Sequence, residues 1–445
     1  MIPLREAQEF VLDSCRSGTP GPVAITEALG CVVAAPVAAT EPVPPFVNSS
    51  RDGYALRAED TPARLVVVGS IMAGTALDRP IGPGQAARIM TGAPLPAGAD
   101  AVCMLEDCMD EDGGTMVRID HAVDAGEAVR LAGEDVRVGD ILAETGTVLT
   151  PGHLGVLANQ GMDEVYVHPR PRVGVLSTGD ELVSGPGPLA PGQIRDANRH
   201  TLLGLVRREG WDAVDLGIVG DDEVALAGVL DQASTDCHAI VTSGGVSVGD
   251  LDIVKVVLEK RAGGTMRWMQ VAIRPAKPLA FGTLEGSGVP VFGLPGNPVS
   301  AMVSFELFVR PGVRRIAGHR AVHRTGIPAV ADTDLRRAPD GKTHFVRAVV
   351  QMDEEGRWRL RPTAGQDSHQ LLAMANANAL PSYPTETASC RGNMSRRCIP
   401  IPGGPVATAR RAVTGRHDRD TGRHHRCTPT SPWRAGTVRP PADAT

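Results

Sequence analysis

From residue 170 to residue 318, short apolar runs alternate with stretches of helical periodicity, and Gly or Pro residues separate them. Runs such as Arg172–Ser177 and His238–Thr242 are largely apolar along their whole length, which is typical of strands that are buried on both faces. Between such runs, Asn198–Arg208 and Asp222–Gln232 have the spacing of helices. This alternation predicts a doubly wound α/β domain with a mostly parallel sheet. Its other strands and helices are expected at Ala213–Val219, Asp250–Lys260, Leu279–Leu284, Val289–Phe292 and Pro298–Arg310.

The flanking regions have a different rhythm. Residues 41–137 contain short β-type runs broken by Gly and Pro, which predicts a small β-rich domain. Apolar residues at helical spacing predict a helix from Leu4 to Ser14, and a second short helix begins at Pro151. We expect residues 1–40 and 138–169 to join as one discontinuous N-terminal domain, and residues 319–380 to form a C-terminal β domain.

The last segment, residues 381–445, differs in composition from the rest of the chain. It contains eleven Arg, four acidic residues and no Lys, and it lacks apolar periodicity. Such a segment buries too little surface to offset its ordering entropy, so we predict that it is disordered. Arg without Lys is also typical of off-frame GC-rich coding, so a frame change near residue 380 is a hypothesis that resequencing of the gene would test. Without its last strands, the C-terminal domain would be truncated and would expose a sheet edge.

The composition is that of a multidomain globular protein of 445 residues, with 42% hydrophobic and 22% charged residues. A net charge of −6 gives no indication of a general nucleic-acid or membrane-surface partner. No apolar run reaches the length of a membrane span, and the N-terminus does not have the pattern of a signal peptide. The eight cysteines include no CxxC pair, which is typical of reduced thiols, and we expect a cytoplasmic location.

Two glycine-rich loops at strand ends carry the first chemical signal. The segment TSGGVSVGD (242–250) joins a predicted strand to a predicted helix, and GLPGNP (293–298) does the same. Glycines let backbone N–H groups approach an anion closely, and the following helix directs its positive end to the same place. Neither loop has the Walker or the GxGxxG pattern. The candidate phosphate-binding residues are Ser243, Gly244, Gly245, Ser247, Gly249, Pro295, Gly296 and Asn297.

Carboxylates follow several strands of the same sheet. Glu181 lies after the first strand, and Asp221 and Asp252 lie beyond others. Because carboxylates beside a phosphate site repel the ligand unless a hard cation bridges them, Mg²⁺ is the metal that this arrangement predicts. The alternatives are solvated carboxylates and helix caps, and Asp222 is expected to be a cap. Arg274 and Lys277, in a proline-bounded loop, supply positive charge suited to an oxyanion.

Seven segments, in one order along residues 1–380, together resemble the MoeA family of molybdopterin molybdenumtransferases, which is related to the E domain of gephyrin. They are PPFVNSSRDGYAL (44–56), RIMTGAPLPAGADAV (88–102), VGVLSTGDELV (173–183), GQIRDANRHTL (192–202), TSGGVSVGDLDIVK (242–255), RPAKPLAFG (274–282) and GLPGNPVSAMVSF (293–305).

The resemblance implies an elongated four-domain homodimer around a molybdopterin-binding α/β fold, with transient contacts to enzymes of molybdopterin synthesis. It also implies a Mg²⁺-dependent reaction in which adenylylated molybdopterin and molybdate give molybdenum cofactor and AMP. Positions that match family residues associated with activity are Asp52, Thr91, Asp135, Glu181, Asp221, Asp252, Arg347 and Ser368. Arg274 and Lys277 then become candidates for the molybdate pocket.

The chain departs from the family pattern in the segment before and within RPAKP. Ala276 stands where the family usually has glycine, so this loop is strained if the position needs a positive φ. Arg274 stands where a lysine is frequent, and Gln270 stands where some members have another lysine. The charge is thus kept at residue 274 and lost at residue 270.

Two other functions stay open. A non-catalytic molybdopterin-binding scaffold would not need the carboxylates at positions 52, 181, 221 and 252. A molybdopterin adenylyltransferase shares the central fold but would not need the DGYA and TGAPLP segments of the N-terminal half. The presence of both features favours the insertion enzyme.

Overall fold

The computed structural model describes residues 1–246, 253–333, 335, 340–383 and 394–401. The central domain is built on six strands, β1 (Arg172–Thr178), β2 (Asp212–Val219), β3 (Ala239–Ser243), β4 (Arg267–Gln270), β5 (Pro278–Thr283) and β6 (Pro290–Leu294). Their order across the sheet is β2-β1-β3-β6-β5-β4. The pairs β2–β1, β1–β3 and β3–β6 are parallel, whereas β5 and β4 add antiparallel strands at one edge. The predicted doubly wound, mostly parallel sheet is therefore confirmed.

Helices cover both faces of this sheet because the strands carry apolar side chains on both sides. The helices are α1 (Asn198–Arg208), α2 (Glu223–Asp236), α3 (Ile253–Arg261) and α4 (Pro298–Ser304), and α4 continues through a π-helical turn (Phe305–Val309) into the helix Arg310–Ile316. On one face, α2 and α3 pack against Leu176 and Ile240. On the other face, α1 and α4 pack against Val175 and Val241. Two apolar layers thus hold the sheet rigid.

The N-terminal helix Leu4–Ser14 packs on the central domain. Its Ala7 and Val11 are buried in the same apolar cluster as α1 and α4, and Phe10 meets Phe281 of β5 edge to face with ring centroids 5.7 Å apart. This helix therefore belongs to the central core, rather than to the discontinuous domain predicted for residues 1–40 and 138–169. Helical spacing shows that a face is apolar, but it does not show which domain covers that face.

Strand pairings join the two separated parts of the N-terminal region. Gly21–Ala24 pairs with Glu164–His168, which also pairs with Val32–Val33, and Val37–Ala38 pairs with Ile141–Ala143. In the sequence, the helix Pro151–Asn159 lies between the strands Ile141–Ala143 and Glu164–His168. Thr150 caps its N-terminus by accepting from the backbone N–H of His153.

The β-rich domain has a six-stranded sheet in the order Ala101–Met104, Gly53–Leu56, Gln85–Ile89, Ala63–Ile71, Met116–Ile119 and Met109–Glu111. Asn48–Ser49 and Val129–Arg130 form a separate two-stranded pair. Short 3₁₀ turns occur at Ala58–Asp60, Leu105–Asp107 and Asp112–Gly114.

The C-terminal domain closes into a barrel. Its strands are Ile327–Ala331, Thr343–Phe345, Ala348–Met352, Trp358–Pro362, Ala379–Tyr383 and Met394–Pro400, and the short helix Leu371–Ala375 precedes the fifth of them. The last strand pairs with both Ile327–Ala331 and Ala379–Tyr383, which closes the ring. Thr343–Phe345 also pairs with Ile273–Arg274, so the sheet extends into the central domain.

This closure corrects the predicted disorder and the predicted exposed edge at the beginning of the tail. Residues 381–383 and 394–401 are ordered, and Cys398 and Ile401 are buried. The prediction of disorder rested on the composition of the whole segment, and its high Arg content outweighed these few apolar positions. The prediction for residues 384–393 and 402–445 lies outside the described residues. Among the described residues, no helix combines the length and apolar character that a bilayer crossing requires.

Gly53, in the DGYA segment, gives a test of the β-rich domain. A Cβ atom at this position would overlap the backbone carbonyl of Cys103 on the adjacent strand. We expect Gly53→Ala to destabilise the protein by about 3 kcal/mol, because backbone cannot yield as a side chain can. Chemical denaturation measures this change.

The matched control is Gly228→Ala on the exposed face of α2, where nothing lies within 4 Å of the new methyl group. This change should stabilise the protein by about 0.5–1 kcal/mol, because alanine favours a helix. Equal effects of the two substitutions would contradict the strand contact at Gly53.

Candidate functional site

A pocket of about 500 Å³ opens at the carboxyl ends of β2, β1, β3 and β6. Parallel strands bring their following loops to one edge, and such edges bind ligands in open α/β sheets. Seven of the predicted residues line this pocket together, namely Glu181, Asp221, Gly244, Gly245, Pro295, Gly296 and Asn297. Ser243 ends β3 immediately beneath them. Ser247, Gly249 and Asp252 lie outside the described residues.

The two glycine-rich loops approach each other closely across the pocket. The backbone of Gly244 donates from its N–H to the carbonyl of Leu294 at 3.1 Å, and the Cα of Gly244 lies 4.0 Å from an ideal Cβ at Gly296. Gly245 has φ +68°, and a Cβ there would overlap the side chain of Val254 in α3. A side chain at this position would push α3 away from the loop, so glycine is required for the narrow cradle.

Two carboxylates stand on the wall of the same pocket. They belong to Glu181 and Asp221. Asp180 holds Asp221 in place, because the Asp180 Oδ1 accepts from the backbone N–H of Asp221 at 2.9 Å. Glu181 folds back over Gly179, which has φ +139° and, as glycine, no side chain that would overlap the carboxylate. Asp222 is directed elsewhere. It caps α2 by accepting from Val224 and Ala225 at 2.8 and 3.0 Å, as expected of an N-cap residue.

The donor set fits a hard cation that also binds the ligand. Carboxylate oxygens suit Mg²⁺, which usually takes one or two carboxylates and completes its shell with phosphate oxygens and water. Within the described ranges, no group of three or more His, Cys, Asp or Glu side chains could hold a metal ion. Glu181 and Asp221 would therefore need the oxygens of a bound phosphate, or further ligands, to complete such a site.

Other predicted residues lie where the central and C-terminal domains meet. The carbonyl of Ser368 accepts from the backbone N–H of Val299 in the first turn of α4 at 3.1 Å. Arg347 is buried, and its Nη2 donates to the carbonyls of Gly365 and Asp367, both at 3.4 Å. Burial lowers the pKa of Arg347 to about 10, with Asp367 opposing this shift and the charge of Arg274 adding to it.

The Nε of Arg347 is buried and has no hydrogen-bond partner among the described residues. A buried donor of this kind usually has a partner, so it marks a place for an acceptor such as an oxyanion. Arg274 is close enough to Arg347 for their charges to interact, while Lys277 is exposed. Ala276 has φ +73°, so the expected strain at this replaced glycine is present and costs about 1–2 kcal/mol.

A third group lies in the β-rich domain. Asp52 Oδ1 accepts from both the backbone N–H and the hydroxyl of Thr91, at 2.7 and 2.8 Å. These two bonds are the main reason that the pKa of Asp52 lies below its ordinary value of 3.8. Asp135 is exposed, and its backbone N–H donates to the carbonyl of Val43 at 3.0 Å. None of these three residues lines the central pocket of its own chain.

Asn198 is a site residue that the sequence reasoning missed. Its side-chain amide donates to the Ser243 hydroxyl and to the Gly296 carbonyl, both at 2.7 Å, and so joins the two glycine-rich loops. The only signal in the sequence was its place in GQIRDANRHTL, at the predicted start of a helix, where asparagine is usually a cap.

Fold and pocket together define a multidomain protein whose α/β domain opens a glycine-lined pocket at the carboxyl ends of its parallel strands. Three family models match the chain: "MoeA N-terminal region (domain I and II)" over residues 2–161, "Probable molybdopterin binding domain" over residues 174–315, and "MoeA C-terminal region (domain IV)" over residues 328–391. The chain therefore belongs to the MoeA family, which confirms the resemblance.

Individual relatives agree with this assignment. "Molybdopterin molybdenumtransferase 2" of Mycobacterium tuberculosis is 38% identical over 398 residues, which cover 87% of this chain and 96% of the relative. "Molybdopterin molybdenumtransferase" of Haemophilus influenzae is 38% identical over 356 residues, covering 79% and 86%. The crystal structure of the molybdopterin biosynthesis MoeA protein from Pyrococcus horikoshii superposes with a TM-score of 0.73 at 27% identity, covering 90% of this chain and 100% of that one.

The contact between Asp52 and Thr91 can be tested by titration. Thr91→Val removes the hydroxyl donor but keeps the backbone donor, so the pKa of Asp52 should rise part of the way towards 3.8. Because the folded pKa lies below the unfolded one, these bonds stabilise the fold above the ordinary Asp pKa, and this stability is lost as the pH falls through the folded pKa.

Carboxyl ¹³C NMR across the acid range measures this pKa directly. Thr115→Val is the control, because the Thr115 hydroxyl bonds the Asp112 carbonyl elsewhere in the same domain. An unchanged Asp52 pKa in Thr91→Val would show that the hydroxyl does not act on the carboxylate.

Proposed function

We propose that this protein inserts molybdenum into adenylylated molybdopterin and releases molybdenum cofactor and AMP. The observation that carries the proposal is the meeting of Glu181 and Asp221 with both glycine-rich loops in one pocket. The names of the curated relatives support the same transferase reaction. The carboxylates beside the glycine-rich loops suit a phosphate ligand only when a cation accompanies it.

The residues divide the task by their chemistry. Backbone N–H groups of the two glycine-rich loops, other than that of Gly244, which bonds the Leu294 carbonyl, hold the phosphates of the adenylylated substrate with no side chain between them and the ligand. Glu181 and Asp221 would hold Mg²⁺, and a cation at this position would offset negative charge at phosphorus when the phosphoanhydride is cleaved. Asp252, in the segment after the first loop, is included in this metal site as a sequence-based prediction.

Molybdate binds at the junction of the central and C-terminal domains. It is a tetrahedral dianion, so it needs converging donors and positive charge. Arg347 offers there its Nε, which has no partner within the described ranges, and Arg274 adds a second guanidinium whose charge reaches Arg347. Lys277 and the Ser368 hydroxyl complete the proposed set.

We also propose a homodimer. The large apolar side chains that are exposed on the domain formed by residues 21–38 and 138–168 are the candidates for the interface between copies. They are Leu29, Val138, Ile141, Val148, Val156 and Tyr166. In such a dimer, Asp52, Thr91 and Asp135 of one subunit complete the cleft of the other. The reaction takes place in the cytoplasm, with transient contacts to the enzymes that supply molybdopterin.

An AMP-release assay tests the reaction. With adenylylated molybdopterin, molybdate and Mg²⁺, the wild type should release AMP, and Glu181→Gln should lower turnover by about 100-fold, as expected for loss of a charge that stabilises the transition state. No AMP release above the Glu181→Gln level would reject catalysis and favour the scaffold function. Formation of adenylylated molybdopterin from ATP would instead favour the adenylyltransferase.

Adjacent carboxylates provide the control for the metal. Asp221→Asn should raise the Mg²⁺ concentration for half-maximal activity by about 10-fold or more. Asp222→Asn should leave it unchanged, because asparagine caps a helix as well as aspartate does. The same Mg²⁺ dependence in both variants would remove Asp221 from the metal site.

Mixed dimers test the shared cleft. Asp52→Asn and Glu181→Gln should each be inactive alone, but subunit exchange between them should restore about a quarter of the wild-type activity, because half of the dimers are mixed and each has one intact cleft. Analytical ultracentrifugation of the mixture shows whether the protein is dimeric. Intact dimers without recovered activity would place the whole cleft within one chain, and a monomeric wild type would reject the dimer itself.

A further inference from the structure

The segment Asp196–Arg199, at the start of α1, makes hydrogen bonds to all four parallel strands of the central sheet or to the loops that follow them. Asp196 accepts from the Ser177 hydroxyl of β1 at 3.0 Å, and Arg199 donates to Asp215 of β2 at 2.6 Å. Asn198 reaches Ser243 at the end of β3 and Gly296 in the loop after β6. These are the strands whose loops form the central pocket.

One half of this segment is a buried anchor. The guanidinium of Arg199 lies between two carboxylates, with its Nε donating to Asp196 at 2.9 Å, and the backbone N–H of Arg199 also donates to Asp196 at 3.1 Å. Arg199 and Asp196 are both buried. A buried pair of this kind holds one geometry, because any movement would leave a charge without its partner.

Asn198 is the other half, and it acts on the ligand-binding loops. A side-chain amide carries two N–H donors, and here each of them serves a different loop. The two acceptors differ, because the Ser243 hydroxyl can also donate whereas the Gly296 carbonyl can only accept. The anchored amide therefore ties the two glycine-rich loops together, in addition to the backbone bond from Gly244 to Leu294.

We infer that Asn198 is a positioning residue that sets the width of the phosphate cradle between the loops at Gly244 and Gly296. Its effect on turnover rests on the proposed function, whereas its effect on the two loops does not. The residue is expected to tune binding of the phosphate-bearing substrate without touching the reacting atoms.

Hydrogen–deuterium exchange of the full-length protein tests the effect on the loops without any ligand. Asn198→Ala removes both donors, so amides of residues 242–246 and 293–297 should exchange about 5–10-fold faster, the change expected for losing about 1 kcal/mol of hydrogen bonding at each loop. Thr201→Ala is the control, because the Thr201 hydroxyl bonds the carbonyl of Ala197, the residue just before α1. It should leave both loops at the wild-type rate.

Asn198→Asp separates the two bonds. The Ser243 hydroxyl can turn and donate to the new carboxylate, but the Gly296 carbonyl then faces a negative charge. Only residues 293–297 should therefore exchange faster. Equal loosening of both loops in Asn198→Asp, or wild-type exchange of both loops in Asn198→Ala, would overturn the inference.

Kinetics and binding separate this inference from the proposed reaction. Asn198→Ala should weaken AMP binding by calorimetry and raise KM for adenylylated molybdopterin by about 10-fold, with a smaller change in kcat, since a lost binding contact acts mainly on KM. Ser243→Ala combined with Asn198→Ala should show less than the sum of the single effects, because both remove the same bond. Strictly additive losses would overturn the coupling.

A wild type that releases no AMP while Asn198→Ala still loosens both loops would reject the proposed reaction and leave the positioning role standing. A loss of thermal stability that accounts for faster exchange throughout the central domain would instead reject the positioning role and leave the reaction standing.

Discussion

Parallel pairing of β2, β1, β3 and β6 is the constraint on which the rest of the molecule depends. Because these strands run in one direction, the loops after all four meet at one edge, although they are far apart in the sequence. Apolar layers on both faces prevent the strands from sliding, and a register shift would move every buried side chain to the wrong face. The packing of the strands in the core therefore determines the positions of the glycine-rich loops and the carboxylates.

Charge is distributed so that no single domain can satisfy a multiply charged ligand. Carboxylates stand beside the glycine loops, the two guanidinium groups lie at the boundary with the C-terminal domain, and Asp52 belongs to the β-rich domain. Each set is costly or incomplete by itself: the buried Arg347 has a donor with no partner in the part of the chain that the structure describes, and the carboxylates repel a bare phosphate. In the proposed reaction, a cation, the phosphate and the oxyanion bound together would balance these charges.

Sequence predicted most of the central domain, because apolar runs, helical spacing and glycine-rich strand ends are local signals. Glu181, Asp221 and the Gly244 and Gly296 loops could be placed at one edge for that reason. The contact between Asp52 and Thr91 could not be derived in this way, since a turn-rich segment does not reveal its partner, and only the family resemblance singled these residues out.

Other features were hidden for different reasons. The position of the helix Leu4–Ser14 depends on the domain that covers its apolar face, which periodicity does not identify. The Arg-rich composition of residues 381–445 concealed the final strand of the barrel. An average over a long segment does not reveal a short run of residues that pairs in a sheet. The hydrogen bonds of Asn198 to both loops exist only in the folded chain, and an asparagine at a helix start has a common, purely local explanation.

The strand Ile273–Arg274 belongs to the backbone of the central domain and to the sheet of the C-terminal barrel at once. Together with the bond from Val299 to Ser368, it gives the barrel two points of attachment. A rotation of the barrel about these points would displace the Arg274 guanidinium and the first turn of α4 together. The angle between these domains and the geometry of the proposed anion site would therefore change together.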